Sequence, residues 1–254
     1  MPVRHACWIL CCAALLSACG EQRDPQSRRK LTVAAAANLT DVFSEVGGRF
    51  KAKTGVDVIF SYGPTAELAQ QIENGAPFDL FAAADTEHID ALVSRGKLTG
   101  DSRAVYALGQ LALWIPQGER IGIRDLRDLG KQQVRFIAIA QPALAPYGQA
   151  TVEALKNAGL WGATQRKLVY ANSINMAKQM AATGNADVAF TAYSLVLRDS
   201  GIVAKVDPTL YRPIQQTLAI VTSSERPGEA KQFRSFLLGL EARAILAEHG
   251  YLLP

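Results

Sequence analysis

From Leu31 onward the chain alternates short apolar runs with amphipathic segments of helical period. LTVAAAA (31–37) has the length and polarity of a buried strand. Thr40–Lys53 sets Val42, Phe43, Val46 and Phe50 on one helical face. VDVIFSY (56–62) and FDLFAAA (78–84) repeat the strand pattern, and the helical segments Ala66–Glu73 and Glu87–Arg95 follow them. Three βα units in succession predict a parallel, doubly wound sheet.

A second set comprises ALGQLALWIP (107–116), VRFIAIA (134–140) with a helix over 148–158, KLVYA (167–171) with a helix over 174–182, and DVAFTA (187–192). QTLAIVTSS (216–224) is a late strand, and 229–249 is a closing helical region. This pattern predicts two lobes joined by two crossings, near 108–112 and 213–218. Lobe 1 takes residues 31–110, lobe 2 takes 111–215, and 216–254 return to lobe 1. Ligands of open α/β sheets sit at the carboxyl ends of strands, so the expected site is a cleft between the lobes. The charged run ERIGIRDLRDLGK (119–131) predicts a solvated helix face, alternatively a partner-contact surface. Trp114 and Trp161 are expected in core or hinge packing.

The first thirty residues follow another pattern. A short basic start precedes an apolar stretch, Ala6–Leu16, which is too short to span a bilayer and predicts a signal peptide over 1–18. Its ending, LSAC (16–19), resembles a bacterial lipobox, which would make Cys19 a lipidated N-terminus. Ser17-Ala18 alternatively fits an ordinary secretory cleavage site, and both readings predict export. Residues 19–30 are polar and predict a tether, lipid-anchored in the lipobox reading.

All four cysteines lie within the first nineteen residues. The folded body therefore has no disulfide framework, cysteine zinc site or cysteine nucleophile. The formal charge of +4 is also concentrated at the start: Arg4 and the stretch 21–30, with four basic and two acidic residues, leave only +1 for residues 31–254. That balance carries no nucleic-acid footprint.

Four strand-to-helix loops stand out: AAAANLT (34–40), SYGPTA (61–66), AQPALAPYG (140–148) and YANSIN (170–175). Their 28 residues contain no Lys, Arg, Asp or Glu. Each leads into a helix N-terminus and carries a neutral side chain able to hydrogen-bond: Asn38, Thr65, Tyr147, and Asn172 or Ser173. Neutral donors and helix dipoles suit a small oxyanion, selected by cavity size and donor number. Alternatively, Asn38 and Thr65 are ordinary N-caps.

VAAAANLTDVFSEVGGRFKAKTGVDV (33–58), SYGPTAELAQQIENGAPFDLFAAAD (61–85) and the PYG at 146–148 together resemble the molybdate-binding proteins of bacterial ABC transporters, over most of residues 31–250. The resemblance implies a type II periplasmic-binding-protein fold, each lobe a doubly wound, mainly parallel sheet flanked by helices. It implies capture of molybdate or tungstate through its oxygens, without direct metal ligands or a cofactor, and delivery to an inner-membrane permease by a monomer. The site residues it implies are Asn38, Thr65, Tyr147 through its backbone N–H, and Ile174 through its backbone N–H. Ala37 would offer an N–H but no side-chain oxygen. The family's tyrosine after the strand at 187–192 aligns with Ala192, with Tyr193 one residue later.

Two alternatives remain open from sequence. The same fold could bind sulfate or another small oxyanion. Phosphate at neutral pH carries a proton that needs an acceptor, and the four loops hold no carboxylate. An exported enzyme is the other alternative. His88 and His249 are expected as solvated helix-surface residues, Asp85 as an N-cap, and no catalytic triad, P-loop or dinucleotide motif occurs.

Overall fold

The computed structural model describes residues 30–118 and 122–254, so the signal segment, Cys19 and most of the tether lie outside the described residues. The first sheet contains β1 (Lys30–Ala36), β2 (Asp57–Gly63), β3 (Leu80–Ala83), β4 (Ala104–Gly109) and the late strand β10 (Ile214–Ile220), in the order β2-β1-β3-β10-β4. The second contains β5 (Leu111–Ile115), β6 (Ile137–Ala140), β7 (Leu168–Ala171), β8 (Val188–Ala192) and β9 (Ile202–Lys205), in the order β7-β6-β8-β5-β9. Neighbouring strands are parallel except where β10 and β5 pair.

Each antiparallel strand is the one that has just arrived from the other sheet. β4 leads through Gln110 into β5, and β9 leads through residues 206–213 into β10. Because β10 pairs with β4 and β5 pairs with β9, the two crossings run side by side in opposite directions.

Helices cover both faces of each sheet. α1 (Thr40–Thr54), α8 (Pro227–Leu237) and α9 (Leu240–Glu248) cover one face of the first sheet, where Phe50 and Phe233 meet edge-on with ring centroids 5.2 Å apart. α2 (Thr65–Glu73) and α3 (Glu87–Ser94) cover the other. In the second sheet, α4 (Pro146–Asn157) packs on one face and α6 (Ile174–Ala182) on the other, through the small side chains Ala138, Ala177, Ala181 and Ala189. One apolar cluster runs from Phe43 in lobe 1 through Leu111 to Phe190 in lobe 2.

A buried aspartate fixes the start of the central strand in each lobe. Asp79, just before β3, accepts from the Thr32 N–H of β1 at 2.8 Å and from the Ser224 hydroxyl at 2.8 Å. Asp187, just before β8, accepts from the Arg135 and Phe136 N–H groups at 2.6 and 2.8 Å. Both clamp a neighbouring strand at its amino end, which sets the register that carries the opposite, carboxyl ends to the cleft.

Several expectations change. The run 107–116 forms two strands in different sheets, because the chain crosses between the lobes at Gln110. Within 119–131 no α-helix forms among the described residues. Leu126–Gly130 is a short 3-10 segment capped by Asp125, and Ile123 and Leu129 turn inward. The closing helical region divides at Leu238-Gly239, and β9, α5 (Trp161–Thr164) and α7 (Tyr193–Val196) are additional. His249 is buried rather than solvated, its Nε2 lying 3.1 Å from Glu45 Oε2. His88 is half-buried and paired with Asp85 at 2.7 Å; that pairing raises its pKa, while the other Asp85 oxygen accepts from the His88 N–H. Trp114 is buried, and its indole donates to Ser200 O at 3.1 Å.

Asp79→Ala strands the half-buried Thr32 N–H and Ser224 hydroxyl. Urea unfolding is expected to give a loss of about 1–3 kcal/mol.

Candidate functional site: a neutral cavity between the lobes

The carboxyl ends of β1, β2 and β3 face those of β6 and β7 across a cavity lined by Ala36, Ala37, Asn38, Gly63, Pro64, Thr65, Ala84, Ala145, Pro146, Tyr147 and Ile174. It has an empty volume of about 220 Å³, its mouth included. All four charge-free loops contribute to it, and none of the lining residues is ionic.

The loops deliver helix starts. A 3-10 turn, Ala37–Leu39, leads directly into α1. Thr65 and Ile174 are the first residues of α2 and α6. Tyr147 is the second of α4, after Pro146, which has no N–H to offer. First-turn N–H groups have no acceptor within their own helix, so Ala37, Asn38, Thr65, Tyr147 and Ile174 bring donors, and the positive ends of peptide dipoles, to one place. Gly148 makes the PYG loop possible: a Cβ there would lie 2.2 Å from the Ala140 carbonyl oxygen.

Thr65 supplies a side-chain donor. Its buried Oγ1 accepts from the Ala84 N–H at 3.2 Å, which leaves the hydroxyl proton free to donate. Asn38 behaves otherwise. Its amide nitrogen donates to Gln216 Oε1 at 2.8 Å and to the Tyr251 hydroxyl at 3.0 Å, so both side-chain N–H groups are committed and the backbone N–H is the donor left for a guest. Neither Asn38 nor Thr65 caps a helix through its side chain, which removes the N-cap alternative. Ser173, by contrast, does cap α6, accepting from the Met176 N–H at 3.2 Å.

The Tyr147 side chain runs away from the helix start, and its hydroxyl is buried without a partner among the described residues. Burial raises its pKa well above 10, so it stays a neutral phenol. Tyr193 does not reach the cavity. Its N–H goes to Gln110 O at 2.9 Å, and its ring lies 4.1 Å from Lys205 Nζ, because β8 ends at Ala192 and α7 turns the next side chain outward.

The lobes touch around the cavity. The Ala66 N–H donates to Leu144 O at 3.2 Å, and the Asn175 amide donates to Thr40 Oγ1 at 3.0 Å. On one flank, Arg212 bridges Glu87 of α3 and Glu153 of α4 at 3.2 and 2.8 Å. These exposed ion pairs lie beside the cavity, not in its lining.

The model of the bacterial extracellular solute-binding proteins matches residues 31–252. The chain belongs to that family. Among relatives of this solute-binding protein, the molybdate-binding protein ModA of Rhodobacter capsulatus is 36% identical over 228 residues, covering 89% of this chain and 90% of the relative. The structure of the periplasmic molybdate-binding protein of Azotobacter vinelandii superposes with a TM-score of 0.83 at 33% identity, covering 88% of this chain and 99% of that one. The sulfate-binding protein SubI of Mycobacterium tuberculosis superposes with a TM-score of 0.74 at 23% identity, covering 87% of this chain and 86% of that one, a likeness of fold alone.

With Lys205 Nζ over its ring and no place in the lining, Tyr193 is expected to be expendable for the cavity. Tyr193→Phe is expected to leave oxyanion affinity within about twofold of wild type by titration calorimetry.

Proposed function

We propose that this solute-binding protein captures tetrahedral molybdate or tungstate in the neutral cavity and delivers it to an inner-membrane ABC permease. The observation that carries the reading is a charge-free lining of helix-start N–H groups in a chain 36% identical to a molybdate-binding protein. Ala37, Asn38, Thr65, Tyr147 and Ile174 donate through backbone N–H groups, and Thr65 adds its hydroxyl. Residues 31–110 with 214–254 act as lobe 1, and 111–213 act as lobe 2. The anion bridges the two sets of donors, so it binds the closed form better than the open one.

The chemistry of the lining supports a fully ionised guest. A monoprotonated phosphate needs an acceptor for its proton, and among the described residues no carboxylate lines the cavity. In this reading the protein is a monomer without a cofactor, as the resemblance implies. The exported protein, periplasmic or at the cell surface, is in the same reading anchored to a membrane through lipidated Cys19.

Titration calorimetry with molybdate, tungstate, sulfate and phosphate is the direct test. Molybdate and tungstate are expected to bind, and tight sulfate binding with no molybdate heat would overturn the assignment. Thr65→Val removes one donor to an anion oxygen and is expected to weaken molybdate binding by about 1–3 kcal/mol. For the anchor, Cys19→Ser is expected to move the protein from the membrane to the soluble fraction on cell fractionation.

A further inference from the structure

The C-terminal residues run over the crossing between the lobes. Leu252 exchanges backbone hydrogen bonds with Leu108 of β4, at 2.7 and 2.9 Å. The Gln110 amide, at the point where the chain changes lobes, donates to Gly250 O at 2.6 Å. Gly250 has φ +82, and a Cβ there would lie 2.7 Å from the Tyr193 ring of lobe 2, so both its conformation and its packing favour glycine.

Between these two contacts, Tyr251 turns inward and is buried. Its hydroxyl donates to Asn38 O at 2.8 Å, accepts from Asn38 Nδ2 at 3.0 Å, and accepts from Ser194 Oγ of α7 at 3.1 Å. One donor and two acceptor sites exhaust what a phenol offers. Asn38 belongs to the helix start that lines the cavity from lobe 1, and Ser194 belongs to lobe 2. The same Asn38 amide also holds Gln216 of β10, the returning strand. A single buried oxygen thus ties a cavity-lining loop, the opposite lobe and the hinge.

We infer that the C-terminal tail, Gly250–Leu252, is a strap that couples the anion site to lobe closure, with Tyr251 as its positioning residue. The inference rests on the reading of the cavity as an oxyanion site. Tyr251 lies behind the lining and acts through Asn38: with its carbonyl and amide held, the Asn38 N–H is fixed toward the cavity, and the Ser194 bond biases lobe 2 toward lobe 1 before a guest arrives. The partner of this strap is the chain's own second lobe.

The test uses the mature chain from residue 19 carrying Cys19→Ser, whose body has no other cysteine. Spin labels at Gln71→Cys of α2 and Gln179→Cys of α6 report the interlobe distance. Tyr251→Phe, which keeps the ring and removes only the oxygen, is expected to lengthen and broaden the ligand-free distance distribution. It is also expected to raise the molybdate Kd by about tenfold. Ser194→Ala, which leaves lobe 1 intact, is expected to shift the distances in the same direction without changing the melting temperature, and it decides the matter if the Tyr251 variant does not fold. An unchanged ligand-free distribution, or an unchanged Kd, overturns the strap. A wild-type chain that takes up no molybdate overturns the oxyanion reading instead, and the ligand-free distances still decide the strap.

Discussion

An anion held without a countercharge must have its oxygens met by N–H or O–H groups already pointing at them, because no long-range field compensates for a donor out of place. That requirement governs the rest of the molecule. Donors of fixed direction come most readily from helix starts, and the carboxyl ends of parallel strands are where an α/β sheet delivers helix starts. Two sheets facing each other through those ends then supply donors from opposite sides. The buried carboxylates of Asp79 and Asp187 serve this geometry from a distance. By clamping the amino ends of β1 and β6 to β3 and β8, they set the relative heights of the loops that reach the cavity.

The polar contacts between the lobes at the cavity are weak enough that, in the proposed reading, closure there is left to the guest. Ala66 to Leu144 and Asn175 to Thr40 are single hydrogen bonds, each worth about 1 kcal/mol net, and the Arg212 ion pairs are exposed and worth less than their geometry suggests. A ligand shifts the lobes only by its differential affinity for the closed form. A clasp of this strength leaves that difference visible; a large apolar interface at the same place would close the lobes regardless of ligand.

Much of this architecture was legible in the sequence, because strand and helix periods are local signals. The three βα units of lobe 1 and the charge-free loops were readable for that reason. What escaped depended on partners far along the chain. The apolar run 107–116 carries no mark that Gln110 divides it between two sheets. Ile123 and Leu129, read as part of a solvated face, are buried by a lobe whose shape 119–131 does not encode. Asn38 was legible as a cavity residue, but the use of its amide was not: Gln216 and Tyr251 lie 178 and 213 residues away. Tyr193 falls outside the lining because one residue past Ala192 the strand becomes a helix, which the local sequence does not mark.

The near-neutral body, at first sight ill suited to an anion, follows from the same constraint. A lysine or arginine in the lining would attract sulfate, phosphate and carboxylates alike, and its flexible stem would relax around each of them. Backbone N–H groups at four helix starts cannot relax independently, since each is tied to a sheet through its loop. In the proposed site their spacing would therefore act as a gauge of the guest's radius, with the Thr65 hydroxyl as the donor that has rotational freedom to adjust. Ala37 sharpens the point: where a serine or threonine would add a second adjustable hydroxyl, alanine leaves the lobe 1 wall to the rigid N–H groups and the single hydroxyl of Thr65. In that reading discrimination falls on the distance between the lobes at closure, the quantity that the strap proposal assigns to the contacts among Asn38, Tyr251 and Ser194.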